Sequence, residues 1–305
     1  MEDLIIIGGG PAGLTAGLYA ARSRLKSILL EKLSPGGQVI LTDWVENYPG
    51  FPDGISGFEL MERIRRQAEN FGLNIQSQDV IKLNISPERK LVVTDKGSLE
   101  TRALILATGA TPRKLGIEGE ERLTGKGVSY CATCDGPFYR DQEVAVIGGG
   151  DTAVEEALFL TKFAIKVHLV HRRNELRATK LLQERATAQE KIELVWDTVP
   201  TRILGETGVK EIEIKNVNTG GLSRIPVEGV FVFIGYNPSS ELARGQLKLD
   251  TRGFIVTNND METSLAGVFA AGDVRSKLLR QISTAVGEGA TAAFAAERYI
   301  ESVAQ

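Results

Sequence analysis

Only two cysteines occur among the 305 residues, with two residues between them in Cys131-Ala132-Thr133-Cys134, and Asp135 follows at once. Thiols at that spacing can close a small disulfide ring, and a carboxylate beside them can move a proton. The combination suits reversible two-electron chemistry. The competing use of such a pair is half of a zinc site, which needs two further ligands. The only histidines are His168 and His171. Three apart on an expected strand, they point to opposite faces. The adjacent Arg172 and Arg173 also repel a cation, so a redox pair and no metal is expected.

The length suggests about two domains. Hydrophobic content of 42% and charged content of 25% are ordinary for a globular chain. A net charge of −3 gives no field for nucleic acid or an anionic membrane. The 33 glycines and 6% aromatics lean towards α/β folds with tight phosphate-binding turns. Met1-Glu2-Asp3 is acidic where a secretory signal is basic, and the apolar run after it ends at glycines, so no leader is expected. No stretch approaches the roughly 18 apolar residues of a membrane span. A cytoplasmic location is expected, and a single cysteine pair there is more often catalytic than structural.

Residues 4–7 are apolar throughout, as in a parallel strand buried on both faces. Gly8-Gly9-Gly10-Pro11-Ala12-Gly13 follows and opens a small-residue helix over 14–21. Glycines at those positions let backbone approach a pyrophosphate, which sits on the positive end of the helix. A second strand over 27–30 ends in Glu31, where an acid can hydrogen-bond both hydroxyls of an adenosine ribose. Pro35-Gly36-Gly37-Gln38 and residues 47–52 are rich in turn formers and read as loops. Residues 58–71 show helical spacing, with Leu60, Ile64 and Ala68 on one side. Residues 77–99 alternate as in a small antiparallel meander. Residues 104–106 form another buried strand, ending at Ala107-Thr108-Gly109 and Pro112.

After Pro112 the pattern starts again. Residues 144–147, then Gly148-Gly149-Gly150-Asp151-Thr152-Ala153, reproduce the opening at an offset of 140 positions. Residues 230–235 and Pro238 echo the stretch that ends at Gly109 and Pro112. Two nucleotide-binding domains of common plan are therefore predicted. The tail is too short to fold alone, and its apolar stretch ending at Gly272-Asp273 is followed by a helical pattern over 280–300. The simplest account has the tail rejoin the first domain. The predicted fold is α/β, two Rossmann-like domains with a three-layer ββα plan, the second inserted into the first through two linkers. The boundaries expected are 1–113 and 241–305 for the first domain, and 114–240 for the second, which carries the cysteine pair.

The repeats differ where cofactor choice is made. The position equivalent to Glu31 is His171, followed by Arg172, Arg173 and then Arg177. A carboxylate holds a free ribose, whereas guanidinium groups hold a 2′-phosphate. The first domain should take an unphosphorylated adenine dinucleotide and the second NADPH. Nicotinamide delivers hydride and a disulfide accepts electrons through thiolates, and a flavin connects the two. FAD in the first domain follows.

With these motifs assembled, the chain resembles the low-molecular-weight, bacterial-type NADPH-dependent thioredoxin reductases over essentially its whole length. The markers are Gly8 to Gly13, Gly36-Gly37-Gln38, Ala107-Thr108-Gly109, the Cys131–Asp135 run, Gly148 to Ala153, His171-Arg172-Arg173 with Arg177-Ala178, Gly272-Asp273 and Arg280-Gln281. The resemblance implies a homodimer with one FAD per subunit, and electron flow from NADPH through flavin and disulfide to thioredoxin. It implies that Cys134 faces the flavin, Cys131 attacks the partner disulfide and Asp135 moves protons. Gln38, Asn47, Asp273 and Gln281 would line the FAD. Two alternatives share the fold and cysteine pair, a ferredoxin-fed flavin reductase and a flavin-dependent dithiol oxidase. Neither has a use for three arginines at a 2′-phosphate position.

Overall fold

The computed structural model describes residues 1–42 and 44–303. The chain forms two compact units, one of residues 1–111 with 237–305 and one of 112–236.

In the first unit, β1 (Glu2–Ile7), α1 (Pro11–Arg22), β2 (Ser27–Glu31), α2 (Gly57–Asn70) and β3 (Asn74–Ser77) wind a parallel sheet. The meander β4 (Val80–Ile85), β5 (Lys90–Thr94) and β6 (Gly97–Leu106) follows. β6 is ten residues long and serves twice. Its first half pairs antiparallel with β5, and its second half pairs parallel with β1 and with β17 (Val268–Ala270) of the tail. The sequence pattern, read as two separate strands there, divides what is one continuous element.

Both faces of β1 are covered, which is why it carries no polar residue after Asp3. Leu4 and Ile6 join a cluster with Leu14 of α1 and Ala292, Ala293 and Ala296 of α7 (Ile282–Ser302). Ile5 and Ile7 join Leu83 and Val92 of the meander on the other side. Truncating Leu4, Ile5, Ile6 or Ile7 to alanine should cost about 2–5 kcal/mol. α1 and α7 pack closely because both are rich in small residues. A Cβ on Gly289 would come within 2.2 Å of the Ala12 carbonyl oxygen. α2 starts at Ser56, whose hydroxyl accepts from Glu59 N at 3.1 Å, a cap worth about 1 kcal/mol.

Short strands β7 (Ala110–Pro112) and β16 (Tyr236–Pro238) run through the two connectors. Between them lie α3 (Glu120–Leu123), β8 (Val128–Ser129), α4 (Ala132–Asp135), β9 (Glu143–Gly148), α5 (Asp151–Leu160), β10 (Lys166–Val170), α6 (Lys180–Ala188) and β11 (Ile192–Val195). The meander β12 (Thr198–Leu204), β13 (Glu211–Asn216), β14 (Leu222–Pro226) and then β15 (Gly229–Phe233) complete the unit. Its parallel sheet runs β11-β10-β9-β15-β8. The core repeats that of the first unit: Val144 and Val146 face the helices, while Ala145 and Ile147 face the meander residues Ile203, Ile212 and Ile214. Here the meander forms its own sheet. Pro226 ends β14 and lacks an N–H for the ladder, so β15 begins as a separate strand.

Candidate active site

The cysteine pair sits at a four-residue helix of the second unit. Cys131 is the residue before α4, and its sulfur accepts from Cys134 N at 3.2 Å. The two sulfurs form a disulfide, with Cα atoms 5.4 Å apart. The Ser129 hydroxyl accepts from Cys131 N at 3.0 Å and donates to Cys131 O at 3.2 Å, which fixes the backbone entering the ring. After reduction, the Cys134 N–H would stabilise a thiolate on Cys131 more than on Cys134, because hydrogen bonding to the charged form favours it. Asp135 closes α4 and precedes a 3₁₀ turn over Gly136–Tyr139. Its side chain makes no capping bond to that turn among the described residues. Capping, the structural role open to an Asp in that place, is therefore not what it does. The phenol of Tyr139 is pushed up to about 12 by burial and by the Asp135 carboxylate.

In the first unit the glycine fingerprint is required by backbone approach. Gly8 has φ +105°, and a Cβ there would lie 2.4 Å from Ala107 O. A Cβ on Gly13 would lie 1.8 Å from Gly8 O. The turn ends at Gly10, after which no side chain caps α1 among the described residues and Pro11 occupies its first position. First-turn N–H groups are thus left for an external acceptor, as a pyrophosphate site needs. Glu31 is bound into the same turn: Oε2 accepts from Gly9 N at 2.7 Å and Oε1 from Leu33 N at 3.0 Å. Gly36 N donates to Gly9 O at 2.8 Å, bringing Gly37 against Gly10, and Gln38 begins on the 3₁₀ turn that follows. A cleft of about 380 Å³ opens beside Glu31 at the carboxyl ends of β2 and β3, walled by Leu33, Pro35, Ile40, Phe58 and Ile75.

The tail completes this end of the sheet. Ala271 N donates to Leu106 O at 2.9 Å, placing Gly272 and Asp273 beside Ala107-Thr108-Gly109. The Thr108 hydroxyl donates to Ser239 O, anchoring the returning chain. Asp273 Oδ1 is buried and accepts no hydrogen bond among the described residues. Lys277 Nζ lies 2.9 Å from it, an ion pair without hydrogen-bond geometry. Asn47 Nδ2 donates to Gln281 Oε1 at 3.1 Å, joining two residues 234 positions apart. Gln281 also caps α7 reciprocally with Thr284. The Arg280 guanidinium lies 4.2 Å above the Phe254 ring. An uncapped helix start, a carboxylate held over the turn, a cleft with both apolar and charged walls and a buried carboxylate oxygen that accepts no hydrogen bond among the described residues fit an adenine dinucleotide with a polar far end.

One residue here escapes a reading of motifs. Glu288 accepts from Gly272 N at 2.7 Å and pairs with Arg275 at 3.0 Å and Lys277 at 3.3 Å. This carboxylate holds the Gly272-Asp273 turn in place. The signal in the sequence is an acid between two glycines, Gly287 and Gly289, in a helix otherwise lined with alanine.

The second fingerprint has the same geometry with different chemistry. A Cβ on Gly148 would lie 2.6 Å from Phe233 O, and Ala153 is fully buried against it. Gly150 precedes α5 with open space before it. Where Gly9 faces Glu31, Gly149 faces His171, whose Nδ1 lies 2.2 Å from the place a Cβ would take. His171 is buried, and burial followed by Arg177, Arg172 and Arg173 depresses its pKa. Its Nε2 finds no partner among the described residues. The loop beyond is fastened by backbone: Arg177 N donates to Gly149 O at 2.7 Å, and Thr179 N to Asp151 Oδ1 at 2.7 Å. Arg172, Arg173 and Arg177 stay exposed beside the start of α5, and Thr152 is exposed on its first turn. A neutral imidazole under a basic rim suits an adenosine bearing a phosphate.

The cysteine ring and the second fingerprint lie towards opposite ends of α5. Gly136, two residues after Cys134, lies against Leu160 and Phe163 at the carboxyl end of α5. The fingerprint opens the amino end. The ten residues of α5 span about 15 Å.

No helix among the described residues is long and apolar enough to cross a membrane. Residues 2–289 match the family model for pyridine nucleotide-disulphide oxidoreductases. A thioredoxin reductase of Peptoclostridium litorale is 50% identical over 99% of this chain and 98% of its own length. One of Mycolicibacterium smegmatis is 49% identical over 98% and 97%. The crystal structure of thioredoxin reductase from Streptococcus pyogenes superposes with a TM-score of 0.94 at 48% identity, covering 99% of both chains. The chain belongs to the pyridine nucleotide-disulphide oxidoreductases and, among them, to the bacterial-type thioredoxin reductases.

Proposed function

We propose that the chain passes electrons from NADPH through FAD and the Cys131/Cys134 pair to the disulfide of thioredoxin, its second unit rotating against the first between half-reactions. The observation that carries this reading is the joining, in one chain, of two dinucleotide fingerprints with different residues over them and a two-cysteine disulfide. The Gly148–Ala153 turn suits the pyrophosphate of a nicotinamide dinucleotide, which gives up a hydride, whereas the disulfide takes up electrons through its sulfurs. A flavin held by the first fingerprint would connect the two, accepting a hydride equivalent and passing two electrons to the disulfide.

Residues 1–111 and 237–305 hold the FAD: Glu31 on the adenosine ribose, the start of α1 on the pyrophosphate, and Asp273 with Asn47 and Gln281 towards the far end. Residues 112–236 hold NADPH, with Arg172, Arg173 and Arg177 on its 2′-phosphate. Cys134 is the inner sulfur and Cys131 the outer. As thiolate, Cys131 attacks one sulfur of the thioredoxin disulfide and forms a mixed disulfide. Asp135 donates a proton to the departing thiolate. Cys134 then attacks Cys131, restoring the intramolecular disulfide and releasing the second thioredoxin thiol. The active form is a cytoplasmic homodimer with one FAD per subunit.

Anaerobic titration tests the reading directly. The purified yellow protein should bleach with NADPH at far lower concentration than with NADH, and oxidised thioredoxin should restore the colour. Bleaching without recovery on thioredoxin would discard the assigned acceptor, and no bleaching with NADPH would discard the donor.

A further inference from the structure

Tyr130, immediately before Cys131, is held at both polar ends by residues of the second unit that lie next to its two connectors. Its phenol donates to Glu120 Oε1 at 2.8 Å. The same carboxylate accepts from Leu115 N at 2.8 Å and Gly116 N at 2.7 Å, backbone just beyond the first connector. The Tyr130 carbonyl accepts at 3.1 Å from the hydroxyl of Tyr236, which begins β16 in the second connector. Glu120 is only 2% exposed, and these three donors satisfy its oxygens. Burial and the Glu120 carboxylate push the Tyr130 phenol above its ordinary range, which keeps it a donor. On the other side, Ser129 binds both the N–H and the carbonyl of Cys131. One short run of backbone thus ties two connectors to the redox ring.

None of this is needed to hold a disulfide. A buried carboxylate shared between linker amides and the phenol next to Cys131 makes sense as a mechanical link. We infer that Tyr130 is a positioning residue, through which both connectors fix the backbone that presents Cys131 and Cys134. The inference rests on the proposed cycle, in which the sulfurs must be brought to the flavin and withdrawn from it. The link makes the disulfide follow the connectors as one piece and leaves the NADPH side unaffected.

The test uses flavin-loaded Tyr130→Phe and Tyr236→Phe with two electron acceptors. Thioredoxin draws electrons only from the cysteine pair, whereas ferricyanide draws them from reduced flavin. Losing a hydrogen bond to a buried carboxylate should lower kcat for thioredoxin about tenfold in Tyr130→Phe. KM for thioredoxin and the ferricyanide rate should stay within about twofold, since neither depends on that bond. Hydrogen exchange at the Leu115, Gly116 and Cys131 amides should rise about tenfold in either variant, with the β9 amides unchanged. A parallel fall with both acceptors, or unaltered exchange at Leu115 and Gly116, would overturn the inference and leave Tyr130 a packing residue. An unmutated protein inactive with thioredoxin would count against the proposed function alone, because the exchange measurement still decides the link.

Discussion

Replacing Arg172 and Arg173 together by alanine should turn a strong preference for NADPH into near indifference. The backbone of their loop should survive, since its fastenings do not use guanidinium groups. His171 N bonds Val195 O at 2.9 Å, Asp197 N bonds Arg173 O at 3.2 Å, Arg177 N bonds Gly149 O at 2.7 Å, and Thr179 N bonds the Asp151 carboxylate at 2.7 Å. All three arginines are exposed, so each contact with a 2′-phosphate belongs at the lower end for charge-assisted bonds, about 1–1.5 kcal/mol. Two removed contacts amount to about 2–3 kcal/mol, or about a 30- to 150-fold loss in kcat/KM for NADPH. NADH lacks the phosphate, and its kcat/KM should change by less than about threefold. Screening sharpens the comparison. The NADPH advantage of the unmutated protein should shrink as salt rises, because the Debye length falls from about 10 Å at 0.1 M to about 3 Å at 1 M. The assay is initial-rate reduction of thioredoxin with each cofactor over a range of concentrations. Equal use of both cofactors before mutation, or an equal loss with both after it, would refute the assignment of these arginines.

Gly13→Ala should yield protein without bound yellow chromophore, since its Cβ would lie 1.8 Å from Gly8 O and the turn must open; the absorbance ratio of flavin to protein checks this. Cys131→Ser should retain electron transfer from NADPH to ferricyanide but lose thioredoxin reduction. Cys134→Ser should trap thioredoxin as a mixed disulfide on Cys131, detectable by mass, and a trap formed by the other variant would reverse the assignment. His171 should make the second unit acid-sensitive. Its pKa is depressed from 6.5, chiefly by burial, so the unfolded chain takes up a proton that the folded chain refuses. Stability is then full above that value and is lost as pH falls below it towards the folded pKa. Urea midpoints at about pH 7.5 and 5.5 should differ more for the natural protein than for His171→Gln.

Much of this chemistry was legible in residue order because local rules demand it. A turn that brings Gly8 within reach of the Ala107 carbonyl and Gly13 within reach of Gly8 admits only glycine. Strands covered on both faces, such as Glu2–Ile7 and Glu143–Gly148, write themselves as apolar runs. The duplicated plan and the exchange of Glu31 for His171 followed from spacing, and the structure sets those two side chains over Gly9 and Gly149 respectively. Periodicity placed the 58–71 helix correctly, and it forms over Gly57–Asn70.

What spacing could not show depends on distance between residues far apart in the chain. The continuous course of Gly97–Leu106 through two pairings is set by its partners, since the same residues suit either ladder. The glycines flanking Glu288 mark it out but do not say that it holds the turn at Gly272, and nothing near Glu120 announces that it joins Leu115 and Gly116 to Tyr130. A buried carboxylate carries no periodic signature; only the donors folded around it make it tolerable. Whether Asp135 caps a turn is likewise a matter of side-chain direction, and the fold answers against the cap. Residue types and local spacing therefore determined which chemistries are present. Tertiary structure decided which side chains hold them and how far apart they stand, because those distances arise from packing between elements that the sequence lists without relation.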